Sequence, residues 1–108
     1  MSKKEDPRHE NLVEWLYQRL LSSERFDVVS KHVNYNLRDA NGEVDVMAYV
    51  RGDDKEMYYY FYEVKSSDHP RARKRAQAQY TRYRTHHNHK HLEGYIVCPD
   101  VIDRLDDI

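Results

Sequence analysis

The chain predicts a single α/β domain with the element order α-β-β-β-α-β. Apolar residues recur at helical spacing in two stretches, 9–23 and 70–85. Between them lie three segments rich in valine and tyrosine, in which alternate residues would take opposite faces of a strand. One further short apolar run, Gly94 to Cys98, follows the second helical stretch.

The first helix runs from about His9 to Ser23, with Leu12, Val13, Leu16, Leu20 and Leu21 in its stripe and Trp15 and Tyr17 at the margins. Pro7 fits just inside its start or immediately before it. Residues 1–7 form a polar beginning that is expected to be flexible. Phe26 to Tyr35, with Val28, Val29 and Val33, is the first strand. Asn34, Asn36, Asp39, Asn41 and Gly42 read as turn residues. Glu43 to Val50 is the second strand, with Val44, Val46, Ala48 and Val50 on one face and Asp45, Met47 and Tyr49 on the other. The polar stretch Arg51–Lys55 turns the chain into a third strand, Glu56 to Lys65. There Met57, Tyr59, Phe61, Glu63 and Lys65 share a face, opposite Tyr58, Tyr60, Tyr62 and Val64. Apolar bulk on both faces predicts an interior strand.

Ser66 to Pro70 breaks that strand and offers caps for a helix from Pro70 to about Thr85, with Ala72, Ala76, Tyr80 and Tyr83 down one stripe. His86 to His91 is a polar loop. Pro99 stops the fourth strand, and Val101 to Leu105 reads as a short final helix.

With 108 residues, 39% of them hydrophobic and 34% charged, the chain forms one domain (1–108) around a modest core. Ten tyrosines against two phenylalanines mean that much of its apolar area carries a hydroxyl. No apolar run approaches the roughly 20 residues of a membrane span, and no signal peptide opens the chain. No membrane partner is expected, and the cytoplasm is the expected compartment. The lone Cys98, after Tyr95-Ile96-Val97, reads as a buried strand thiol and excludes an internal disulfide or a cysteine-built metal cluster.

The net charge of −1 conceals a division. From His69 to His91 there are seven of the 18 Lys/Arg, five histidines and no acid, which leaves 11 Lys/Arg against all 19 acids elsewhere. Such a basic segment points to a polyanionic partner or, more plainly, to a solvated helix face. Within the strands, Glu63 and Lys65 point the same way, and Asp45 can reach that face if the second and third strands pair. Two carboxylates and an ammonium at one spot suit a divalent metal ion and a phosphate. The alternative is a surface ion pair between Asp45 and Lys65.

Gly42-Glu43-Val44-Asp45-Val46 followed one strand later by Glu63-Val64-Lys65, in this element order, resembles the PD-(D/E)xK nuclease superfamily, which includes Holliday-junction resolvases and RecB-type nucleases. The resemblance covers nearly the whole chain. It implies a restriction-endonuclease-like αβββαβ core, a mixed four-stranded sheet flanked by helices. It further implies that Asp45, Glu63 and the Val64 carbonyl hold Mg²⁺ or Mn²⁺, while Lys65 orients the attacking water. The family's first acid lies on the opening helix, where Glu14 fits the spacing better than Glu10. Gln79 and Tyr83 resemble the Gln-x-x-x-Tyr motif of RecB-type nucleases. Ser66, Arg71, Arg73, Lys74, Arg75 and Arg82 are then expected to meet phosphates, although capping is the plainer role for Ser66 and Ser67.

The implied activity is metal-dependent hydrolysis of DNA, either structure-specific as in junction resolvases or exonucleolytic as in RecB, in a protein of prokaryotic, archaeal or viral origin. The chain departs from the pattern in lacking a proline before Asp45 and in the 18 positions that separate Asp45 from Glu63. It also lacks the four cysteines of iron–sulfur relatives. Being near the minimum for the fold, it is expected to need a homodimer or a partner protein for extra DNA-binding surface. Two other classes stay open: a non-catalytic nucleic-acid-binding or assembly module that keeps the fold, and a metal-binding protein built on His86, His87, His89 and His91.

Overall fold

The structure, a computed structural model, describes residues 7–37 and 40–105. The expected flexible start before Pro7 and the turn role of Asp39 lie outside the described residues. Along the chain come α1 (Pro7–Ser22), β1 (Val28–Leu37), β2 (Ala40–Arg51), β3 (Met57–Val64), α2 (Pro70–His86), β4 (Leu92–Cys98) and β5 (Val101–Arg104). The strands lie in one sheet in sequence order. All neighbours are antiparallel except β3 and β4, which run parallel because α2 crosses over between them. The α/β class thus holds, as a five-stranded mixed sheet with two helices.

Each helix covers one face. On one side Val13 and Leu16 of α1 bury against Val46, Ala48, Tyr60, Tyr62, Val64 and Val97. On the other, Ala76, Tyr80 and Tyr83 of α2 bury against Val44, Met47, Phe61 and Ile96. As its two apolar faces require, β3 lies inside the sheet, between β2 and β4. The thiol of Cys98 is buried and contacts the Ser67 carbonyl at 3.6 Å.

Several boundaries differ from the sequence reading. Pro7 is not part of a loose start but opens α1. Asn34, Asn36, Asn41 and Gly42 belong to strands, because the β1–β2 ladder continues through Asn36↔Asn41 to Leu37↔Ala40. The final helix is absent: Val101–Arg104 is a fifth strand. Pro99 and Asp100 reverse the chain, so that Cys98 pairs with Val101, and Asp103 turns inward to meet Arg73 of α2 at 2.6 Å. The cap of α2 is His69, whose Nδ1 accepts from the Arg71 amide; Ser67 instead accepts from the His69 amide.

Val44 also leaves the face assigned to it and joins Met47 under α2, whereas Val46 and Ala48 stay under α1. The alternation slips at Asp45. Across from it, between the pairs Lys31↔Val46 and Val33↔Val44, His32 takes a φ of 54°. That left-handed conformation is uncommon outside glycine and interrupts the pleat.

The histidine loop is ordered by ring stacking. His91 lies on Tyr58 with centroids 4.2 Å apart, His89 on Tyr59 at 3.8 Å and His87 on Tyr83 at 3.9 Å. The Tyr83 hydroxyl faces His89 Nε2 at 2.8 Å. Burial pushes that hydroxyl up to about 12, so it stays protonated beside the imidazole.

Two outcomes follow from this packing. A Cβ at Gly94 would stand 2.5 Å from the fully buried Tyr80 ring, so Gly94→Val is expected to cost about 1–3 kcal/mol in urea unfolding. Burial, reinforced by His87, lowers His89 below its ordinary value of 6.5, so the unfolded chain binds more protons than the fold near that pH. Stability is therefore complete above pH 6.5 and declines on acidification below it. His89→Phe keeps a stacking ring without the titration, and its urea midpoint should fall less than the wild type's below pH 6.5; equal falls would remove the assignment to His89.

Candidate active site at the end of strand β3

The β2–β3 ladder stops at Val46↔Tyr62, while Lys65 still donates its amide to the Val97 carbonyl of β4 at 2.9 Å. The Val64 amide faces the β2 side, where the ladder has ended. It donates to Oδ2 of Asp45 at 2.8 Å. A buried amide needs an acceptor, and here a side chain substitutes for strand backbone. The bond fixes the Asp45 carboxylate on the residue between Glu63 and Lys65. Asp45 and Glu63 are fully buried. Lys65 Nζ stands 3.5 Å from Glu63 Oε2, with its side chain 15% exposed.

A second line of contacts reaches Asp45 from α1. His9, buried in the helix stripe with Val13 and Leu16, places Nε2 3.4 Å from Asp45 Oδ2 and Nδ1 3.5 Å from Glu10 Oε1. Glu10 Oε2 meets His32 Nε2 at 3.1 Å, and His32 Nδ1 meets Glu43 Oε2 at 2.8 Å. His32, Glu43 and Asp45 each bring one ligand atom within 4.8 Å of the others. Asp45 thus meets the Val64 amide of β3 on one side and His9 of α1 on the other. Glu63 and Lys65 follow Phe61 on the α2 face of β3, and His9 and Glu10 come from α1.

The chemistry of this donor set fits a divalent cation. Carboxylate oxygens suit Mg²⁺ and Mn²⁺, and imidazole extends the range toward Mn²⁺ and Zn²⁺. Beside it lies a cleft of about 230 Å³, lined by His9, Val64, Lys65, Ser66, Ser67, Ala72 and Arg75. Lys65, Ser66 and Arg75 supply it with donors suited to a phosphate.

The remaining expected residues divide. Glu14 points away, paired with Lys31 and hydrogen-bonded by Gln18 at 2.7 Å; these bonds hold its carboxyl below the usual range. The helix acid brought to the cluster is Glu10. Arg73 is engaged by Asp68 at 2.5 Å and Asp103 at 2.6 Å, so it clamps α2 to the last strand. Arg71 and Lys74 are exposed. Arg82 reaches the Asn41 carbonyl at 3.5 Å. Tyr83 is buried among aromatic rings, and the side-chain oxygen of Gln79 is buried without a hydrogen-bond partner among the described residues. Near them, burial raises the Tyr35 hydroxyl above its ordinary value, Arg82 opposing and Glu63 adding to the shift.

Sequence reasoning passed over His9 and His32 and gave Glu43 no role beyond its place in the second strand. His9 carried a signal, a histidine four residues before Val13 in the apolar stripe. His32 falls opposite Asp45 only when the hairpin is counted back from Leu37↔Ala40.

Comparison with known proteins returned no matching family model, no matching curated protein and no matching solved structure. No helix of the described residues is long and apolar enough to cross a membrane.

Metal binding is expected to stabilise the fold by mass action. Mn²⁺ at a hundred times its dissociation constant should add about 2.7 kcal/mol, read as a rise in Tm. Asp45→Asn and Glu63→Gln should lose most of that rise, and Glu14→Gln should keep it.

Proposed function

We propose that the chain is a metal-dependent nuclease of the PD-(D/E)xK type, with a restriction-endonuclease-like core, acting on DNA phosphodiester bonds. The observation that carries this reading is the junction at the end of β3: Asp45 on the Val64 amide, with Glu63 and Lys65 within 3.5 Å of each other. The first six elements, α-β-β-β-α-β, with a parallel β3–β4 pair across a helical crossover, support it; β5 is an addition at the sheet edge.

In this reading Asp45 and Glu63 hold Mg²⁺ or Mn²⁺, with the Val64 carbonyl as a further ligand. The bound ion would supply Lewis acidity toward the phosphate and an attacking water. Lys65 donates to a phosphate oxygen or to that water, and burial strengthens its field. Ser66 and Arg75 neutralise the neighbouring phosphate without reading sequence. Glu10, through His9, keeps the Asp45 carboxylate in place. A second protomer or a partner protein would extend the DNA-binding surface.

Incubation with Mg²⁺ or Mn²⁺ and plasmid, single-stranded, flap and four-way-junction DNA tests this. Asp45→Asn, Glu63→Gln and Lys65→Met should each lower the cleavage rate roughly 10²- to 10³-fold. Glu10→Gln should lower it and Glu14→Gln should not. A folded wild-type protein that cleaves none of these substrates would overturn the proposal.

A further inference from the structure

A second groove opens beside the catalytic cleft and has a different character. It holds about 360 Å³ and is lined by Arg8, Asn11, Leu12, Trp15, Ser66 and Pro99. Trp15 is 47% exposed, although it is the largest apolar side chain of α1. The Arg19 guanidinium lies over its ring, 5.5 Å from the centroid. Ser66 lines both this groove and the cleft that holds Lys65 and Arg75. The two are therefore neighbours on either side of Ser66, one cationic and the other aromatic.

A nucleotide has the same division, an anionic phosphate next to a flat aromatic base. We infer that the Trp15 groove receives a nucleobase of a single-stranded segment whose adjoining phosphate lies in the Lys65–Arg75 cleft; this rests on the nuclease reading. A base within a duplex is already stacked on both sides and has no free face to offer. Stacking on an aromatic side chain tolerates any sequence, because every base has a π-face. Asn11 and Arg8 at the rim supply polar groups for base edges or phosphate. The preferred substrate is thus a single strand or a frayed end.

The chain has one tryptophan, so its emission reports on this groove alone. The full chain, held in chelator to prevent cleavage, is titrated with a short oligothymidylate and with an abasic oligomer of equal length. The oligothymidylate should quench the emission saturably, and the abasic oligomer should not. Trp15→Leu should weaken oligothymidylate binding, followed by anisotropy of a labelled strand, roughly five- to a hundred-fold; Trp15→Phe should restore most of it. Equal quenching by both oligomers, no quenching, or unchanged affinity in Trp15→Leu would overturn the inference. Emission that shifts with protein concentration alone would also overturn it, making the groove a self-association surface. Cleavage without quenching removes only the groove assignment, whereas quenching without cleavage of any substrate removes the nuclease reading and leaves base binding intact.

Discussion

The bond from the Val64 amide to Asp45 is the constraint around which this molecule is arranged. A sheet that continued regularly past Val46↔Tyr62 would have satisfied that amide with backbone and left Asp45 no reason to turn inward. Because the ladder ends there, a carboxylate occupies the position of a strand carbonyl. The slip that moves Val44 to the opposite face and the left-handed turn at His32 sit at the same level of the hairpin. The polar junction and the irregularity of the sheet are one feature.

Burying two carboxylates in a chain with so lean an apolar core is costly, since ions leave water only when compensated. Compensation here comes from several directions: an amide, the Lys65 ammonium and an imidazole from α1. That cost, met by specific partners at the end of one strand, is what distinguishes this place from the rest of the sheet. The histidine loop shows the opposite case. Three of its rings, those of His87, His89 and His91, stack on tyrosines of β3 and α2.

Much of this was legible in the sequence. The helical stripes, the two apolar faces of β3 and the pairing of Glu63 with Lys65 follow from periods of 3.6 and 2, which are local properties. What was hidden depends on contacts distant along the chain. Glu14 matched the expected spacing, but helix rotation against the sheet turns Glu10 inward, and spacing alone does not fix rotation. Val101 and Leu105 sit at helical spacing, yet the Pro99-Asp100 reversal and the attraction of Asp103 for Arg73 draw this segment onto the sheet edge. Arg73 looked like one of several phosphate-binding cations until its two acidic neighbours were placed.

The Arg73 clamp carries an implication for how the molecule tolerates change. It fastens the first turn of α2 to the last strand, and Arg75, two residues further along the helix, lines the cleft. The β4–β5 hairpin therefore helps to set where Arg75, a cation of the cleft that Lys65 also lines, stands. A change at Asp103 would therefore be felt in the cleft, while the aromatic packing between α2 and the sheet stayed unchanged.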